Sequence, residues 1–259
     1  MKQWARVKAR WRREMAEWCG RRPCKISTTS PLVSFTFDDF PRSALSVGGA
    51  LLESYGIFGT YYVSLGLMGK TAPSGEICRL EDVKQVVERG HELGCHTFDH
   101  CDAWETEPDE FETSVLRNRE MLAQIIPNAL FQTLAYPINP PRPANKRRAG
   151  RRFVCCRGSG GQTFNWAQVD LNNLKAFFLE RGLHKPDLIE RIVDRNAEAR
   201  GWLIFATHDV SKNPTRFGCP TTLFERTIRY VTKSGAIILP VFSACKLARQ
   251  SDAMAARGM

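Results

Sequence analysis

Two stretches of this 259-residue chain hold side chains that could do chemistry together. Leu32-Val33-Ser34-Phe35-Thr36-Phe37 is an apolar, strand-like run that ends in two adjacent carboxylates, Asp38 and Asp39. Further along, Gly94-Cys95-His96-Thr97-Phe98-Asp99-His100 sets two imidazoles four positions apart. Two imidazoles and a carboxylate at a strand end make a three-ligand metal site with one position open, the arrangement of a metal-dependent hydrolase.

Neighbours on a strand point to opposite sides, so Asp38 and Asp39 share a site only if the chain turns there, and Pro41 favours a turn. One carboxylate could then hold metal while the other acts as base. The plainer reading is an Asp-Asp pair that starts a turn or caps a helix. His96 and His100 lie on one face, about 6 Å apart at Cβ, if their segment is helical. His91 points elsewhere and reads as structural. Asp99 and Asp102 are candidates to orient an imidazole. Cys95 and Cys101 flank the histidines, but free cysteines in a fold usually just pack. His208 follows the apolar run Trp202–Thr207 and precedes Asp209. A histidine there can protonate a leaving group.

The elements that must position these residues read as alternating strands and helices. Strands are expected at 32–37, 60–63, 91–95, 130–136, 153–156, 202–207 and 236–239, with helices at 43–55, 80–89, 108–126, 187–200 and 221–234. That alternation predicts an α/β fold with a parallel sheet, open or closed into a barrel. Asp38, Asp39, His96, Tyr136 and His208 all fall where strands end, the face on which barrel active sites are built.

The same residues carry a resemblance. Thr36-Phe37-Asp38-Asp39 resembles the first motif of the polysaccharide deacetylase family, the NodB-homology or carbohydrate esterase family 4 group. His96-Thr97-Phe98-Asp99-His100 is similar to its second motif, His-(Ser/Thr)-x-x-His, and Thr207-His208-Asp209 to its last. The resemblance spans roughly residues 30–245 and implies a distorted (β/α)7-type barrel that removes an acetyl group from an N-acetylated sugar. By motif, Asp39, His96 and His100 would hold a divalent metal, usually zinc; Asp38 would be the base and His208 the acid. Tyr136 would lend its backbone N–H to the oxyanion. Two departures stand out. Gln132 and Thr133 occupy the region of the third-motif Arg, for which Arg157 is the substitute candidate. The fourth motif, whose Asp orients the catalytic His, has Asp170 as its nearest counterpart, with Asp209 a further candidate partner. An O-acetyl esterase or non-sugar amidohydrolase on the same fold, or a degenerate carbohydrate-binding domain, are the alternatives.

Charge divides the chain. Residues 1–25 hold nine Lys/Arg and two Glu, a net +7, which leaves +3 of the total +10 for the rest. A nearly balanced body argues against a nucleic-acid-binding face. In the leader, Trp4, Val7, Trp11, Met15 and Trp18 recur at helical spacing among the basic residues. This amphipathic helix either packs its Trp stripe on the domain or lies on an anionic membrane. Nine cysteines, no CxxC pair and no signal-peptide-like apolar stretch suggest reduced thiols and a cytoplasmic protein, free or membrane-associated, and the resemblance implies an acetylated saccharide as its partner. The expected organisation is a leader and connector at 1–29, a catalytic domain at 30–246 and a flexible tail at 247–259.

Overall fold

The computed structural model describes residues 2–26, 28–158 and 163–255. Its frame is the strand β2 (Leu32–Phe37), buried at every residue, as a run apolar on both faces requires. β2 pairs in parallel with β11 (Trp202–Thr207) along its whole length, from Leu32 opposite Trp202 to Phe37 opposite Thr207. On its other edge, β3 (Thr60–Val63) takes the end of β2 and β14 (Ile237–Ile238) takes its start. Parallel pairing continues from β3 through β6 (Glu92–Cys95) and β7 (Thr133–Ala135) to β8 (Cys155–Arg157); β10 (Phe177–Phe178) lies outside β11. The strands curl into a half-barrel, the distorted α/β barrel that the motifs imply. Beside β8, the Cys156 and Leu174 amides donate to the Leu171 and Cys156 carbonyls at 2.7 and 2.9 Å.

Alternation along β2 and β11 feeds two cores. Val33, Phe35, Phe37, Leu203 and Phe205 pack against α3 (Leu80–Glu88), α4 (Pro108–Ile125), α6 (Pro186–Ala199) and α7 (Thr221–Lys233). Phe35 stacks on Phe205 at 5.4 Å and meets the edge of Phe224 at 5.7 Å. Leu32, Trp202, Ile204 and Ala206 face the other way, onto α8 (Val241–Ala255). A buried phenylalanine in such a setting is worth about 3–5 kcal/mol against alanine. α3 stops where expected, at Gly90, whose φ of +83° ends the helix without steric cost. The helix expected at 43–55 is a π-helical turn, Ala44–Gly49, that runs into α2 (Ala50–Ser54).

The two ends depart from expectation. The leader is part of the domain rather than a separate unit. β1 (Pro23–Lys25) pairs antiparallel with β9 (Gln168–Asp170), and the helix α1 (Lys2–Trp18) is pinned by polar contacts. Lys146 Nζ donates to the Ala16 carbonyl, and Lys175 pairs with Glu17. Among the described residues, Trp11 is the one member of the Trp stripe with a ring partner on the domain, Trp104, edge-on at 5.3 Å. The face that docks is Arg12 and Ala16, because those positions find Glu105, Lys146 and Asn173. The segment expected to fray after Lys246 is instead helical to Ala255, anchored by buried Ala248 in the second core; residues 256–259 lie outside the described residues.

Candidate active site

β2 ends at Phe37, and the chain then turns through two left-handed residues, Asp39 (φ 60°) and Phe40 (φ 54°). Such backbone is uncommon for non-glycine residues and collects at functional sites. It lets Asp38 and Asp39 line the same pocket. β6 ends at Cys95, and the segment 96–100 is a bent loop, not the helix that i, i+4 spacing suggested. Left-handed Thr97 (φ 60°) and His100 (φ 54°) bend it. The amides of Phe98 and Asp99 both donate to Ser114 Oγ at 3.0 Å, which fixes the bend.

The bend sets the His96 and His100 rings 5.1 Å apart, with their Nε2 atoms 3.5 and 3.0 Å from Asp39 Oδ1. The three ligand atoms lie within 4.8 Å of one another. Asp39 Oδ2 accepts the Ser74 hydroxyl at 2.7 Å, from the hairpin of β4 (Thr71–Ala72) and β5 (Gly75–Glu76). Oδ1 is buried and receives no well-aligned hydrogen bond. His96 Nδ1 faces the Ala135 carbonyl at 2.8 Å. A carbonyl only accepts, so Nδ1 carries the proton and Nε2 presents its lone pair. A lone pair and a carboxylate oxygen face to face call for a cation or a proton between them. In the protein without metal, protons answer: burial alone would raise the Asp39 carboxyl, yet contacts with His100 and His96 hold it far below the ordinary range. Burial likewise pulls His100 down, but Asp39 overrides it and raises it. The donor set fits a divalent cation.

Asp38 is held differently. Its Oδ1 accepts from Nη2 of Arg157, a side chain 1% exposed whose guanidinium lies over Tyr62 at 5.1 Å and Phe178 at 5.7 Å. The substitute arginine foreseen from the sequence is thus in contact with the carboxylate. His208 Nδ1 donates to the Phe217 carbonyl at 3.2 Å, which leaves Nε2 to the pocket, 4.0 Å from Asp39 Oδ2. Asp209 does not touch the imidazole. Its carboxylate takes the Thr215 amide and hydroxyl at 2.8 and 2.6 Å and so braces the loop that carries Phe217, closed by the pairing of β12 (Val210–Ser211) with β13 (Cys219–Pro220).

Three expectations fail on geometry. The Tyr136 amide is committed to the Arg157 carbonyl at 2.9 Å, because the β7–β8 ladder runs on through it, so it cannot serve an oxyanion. Pro137 has no N–H; the next amide, Ile138, belongs to a residue lining the pocket and makes no hydrogen bond among the described residues. Asp170 lies on β9, away from His208, and takes the amides of Arg22 and Asn172 at 2.9 Å and Lys146 Nζ at 2.5 Å. It ties the leader to the barrel. Asp99 and Asp102 bond Ser114 and the Trp104, Glu105 and Asn139 nitrogens, not the histidines. His91 is structural as expected, and Cys95, whose thiol burial pushes up to about 11, stays outside the metal set.

Besides Ile138, two residues escaped the sequence reading. Ser74 sits in a hairpin tip with no pattern of its own. Glu180, on the 3-10 turn Leu179–Gly182 after β10, lines the pocket beside Asp38 and His208, and its Oε2 is buried without a partner. Burial pushes its carboxyl up to about 7, against the lowering effect of His208 and Arg181. Its signal was an acid directly after the apolar run Ala176–Leu179. The cavity these groups share holds about 560 Å³.

Residues 25–145 match the polysaccharide deacetylase family. Similar solved structures include the Bc1960 peptidoglycan N-acetylglucosamine deacetylase, at 15% identity and TM-score 0.59 over 92% of this chain and 97% of that one. PdaA of Bacillus subtilis, a family 4 carbohydrate esterase, aligns at 13% identity and TM-score 0.54 over 89% and 85%. BA3943 of Bacillus anthracis, a CE4 family pseudoenzyme, aligns at 12% and 0.60 over 86% and 68%. At these identities the structural likeness concerns the fold. The matched segment, which contains both the Asp pair and the His pair, makes this chain similar to the polysaccharide deacetylase, or NodB-homology, family, and the half-barrel is the fold of the solved carbohydrate esterase family 4 structures.

Proposed function

We propose that this protein is a metal-dependent deacetylase that hydrolyses the acetamido group of an N-acetylated sugar. Fold alone does not carry this reading, since a pseudoenzyme shares it. The observation that carries it is the bare, buried Asp39 Oδ1 beneath two histidine Nε2 atoms. Asp39, His96 and His100 hold the cation, and zinc suits two imidazoles and a carboxylate. Bound there, the cation supplies a Lewis acid that polarises an acyl carbonyl and acidifies water. Asp38 takes a proton from the attacking water, held in place by Arg157. His208 Nε2 gives a proton to the departing amine, its ring fixed by the Phe217 carbonyl and flanked by Phe178 and Phe217. The Ile138 amide meets the oxyanion, a contact worth about 3 kcal/mol when well aimed. The deacetylase Bc1960 supports an N-acetylhexosamine as substrate class.

Calorimetric titration of chelator-treated protein with zinc tests the site. One ion per chain should bind, and His96→Ala and His100→Ala should each lose that binding while staying folded by circular dichroism. Stoichiometric binding retained in both variants would overturn the ligand set. Acetate release from N-acetylglucosamine oligomers, assayed with and without metal, tests the substrate separately.

A further inference from the structure

At 100° per residue, positions 4, 7, 11 and 18 of α1 fall within about 60° of one another. The side chains there are Trp4, Val7, Trp11 and Trp18, exposed at 80%, 55%, 52% and 71%. The helix is not loose: Arg12 with Glu105, Glu17 with Lys175, and Lys146 on the Ala16 carbonyl fix its roll, so this apolar strip is presented outward rather than left by chance. Trp18 carries the Arg21 guanidinium 5.7 Å from its ring centre. Lys8, Arg10 and Arg13 are exposed on the same helix, and residues 1–25 hold most of the chain's net charge. Tryptophan favours the boundary between hydrocarbon and water, where its ring is buried and its N–H is wet. Lys and Arg are drawn to anionic headgroups. A second copy of the chain would bring another basic leader against this one, and like charges would oppose that contact.

The strip also lies close to the catalytic pocket. Trp11 packs on Trp104, in a loop whose Ala103 amide donates to the Pro137 carbonyl and whose Asp102 accepts from Asn139 at 2.6 Å. Ile138, between those two residues, lines the pocket and is 66% exposed.

We propose that α1 docks the protein on an anionic lipid bilayer, with the Trp4–Val7–Trp11–Trp18 strip in the headgroup region and the flanking Lys8 and Arg21 on lipid phosphates. Docked so, the protein carries its pocket at the membrane surface. The inference rests on α1 alone and stands whatever the barrel hydrolyses.

Co-sedimentation of the full chain with phosphatidylglycerol-containing and pure phosphatidylcholine vesicles tests it. Binding should require the anionic lipid and weaken with salt. It should fall at least about tenfold in Trp4→Ser/Trp18→Ser and fall again in Lys8→Gln/Arg21→Gln. Both variants change exposed side chains, and thermal melts matching the parent exclude unfolding as the cause. Equal binding to both vesicle types, no binding to either, or binding unchanged in the Trp variant would overturn the proposal. So would a dimer, seen by light scattering, that the Trp variant dissolves, since that assigns the strip to a second copy.

Discussion

Glu180 shows what one side chain can reveal by being in the wrong place for stability. Its carboxyl titrates at about 7 because burial penalises the anion, and the unfolded chain returns it to about 4.5. A pKa raised by folding contributes stability fully below the unfolded value, and that stability is lost as pH climbs through about 7. Glu180→Gln, which cannot ionise, should therefore gain in melting temperature on the parent between pH 4.5 and 7 and level off above, measured on chelator-treated protein. A difference that stays flat across this window would mean the carboxyl titrates normally. A residue that costs stability near neutrality suits a functional position, and its place beside Asp38 and His208 agrees. The cluster of Asp39, His96 and His100 was legible because these residues sit in short motifs at strand ends. Arg157 was legible only as a substitute for something missing. Ser74, Ile138 and Glu180 were not, because each reaches the pocket by a loop whose path depends on tertiary packing.

At the scale of elements, a buried histidine makes the clearest case. His91, just before β6, accepts the Gly59 amide at Nδ1 (3.0 Å), so in the neutral ring Nε2 carries the proton and donates to Glu53 at 2.7 Å. Every ring nitrogen is satisfied in the neutral form, and protonation would set an N–H against the Gly59 N–H. Burial lowers His91 from 6.5, with Glu53 opposing. A pKa lowered by folding gives stability above the unfolded value that is lost as pH falls below it. Thermal melts should show the parent losing stability below pH 6.5, and His91→Gln, though less stable at neutrality, should lack that part of the slope. Parallel slopes would assign the acid sensitivity to other groups. The strands were readable from the sequence because β2 and β11 are apolar on both faces and end at polar residues. The path of the 96–100 loop stayed open because i, i+4 spacing suits a helix and a bend equally, and left-handed backbone at Thr97 and His100 leaves no mark on the sequence. The Trp stripe was read correctly as a stripe, but which side of α1 docks was decided by Glu105, Lys146 and Lys175, more than ninety residues away.

For the whole molecule, the C-terminal helix is a closing piece. The Val241 and Phe242 amides at the start of α8 donate to Thr60 Oγ1 and Glu92 Oε2, both at 2.9 Å, and Ala244, Cys245 and Ala248 complete the second core. Truncation after Lys246 should lower the melting temperature by about 2–10 °C, the effect of losing roughly 1–3 kcal/mol in a protein of this size. An unchanged melt would show that the last turns carry no stability. The same closure bears on how the chain comes into being. β2, which leads into Asp38 and Asp39, is hydrogen-bonded along one edge to β11 and at the start of the other to β14. During synthesis this apolar strand waits for partners that follow some 170 to 205 residues later, on the order of 10–40 s at ribosomal rates. The nascent chain thus holds this apolar strand without those two partners for that interval, and the pocket is complete only once His208 has been made.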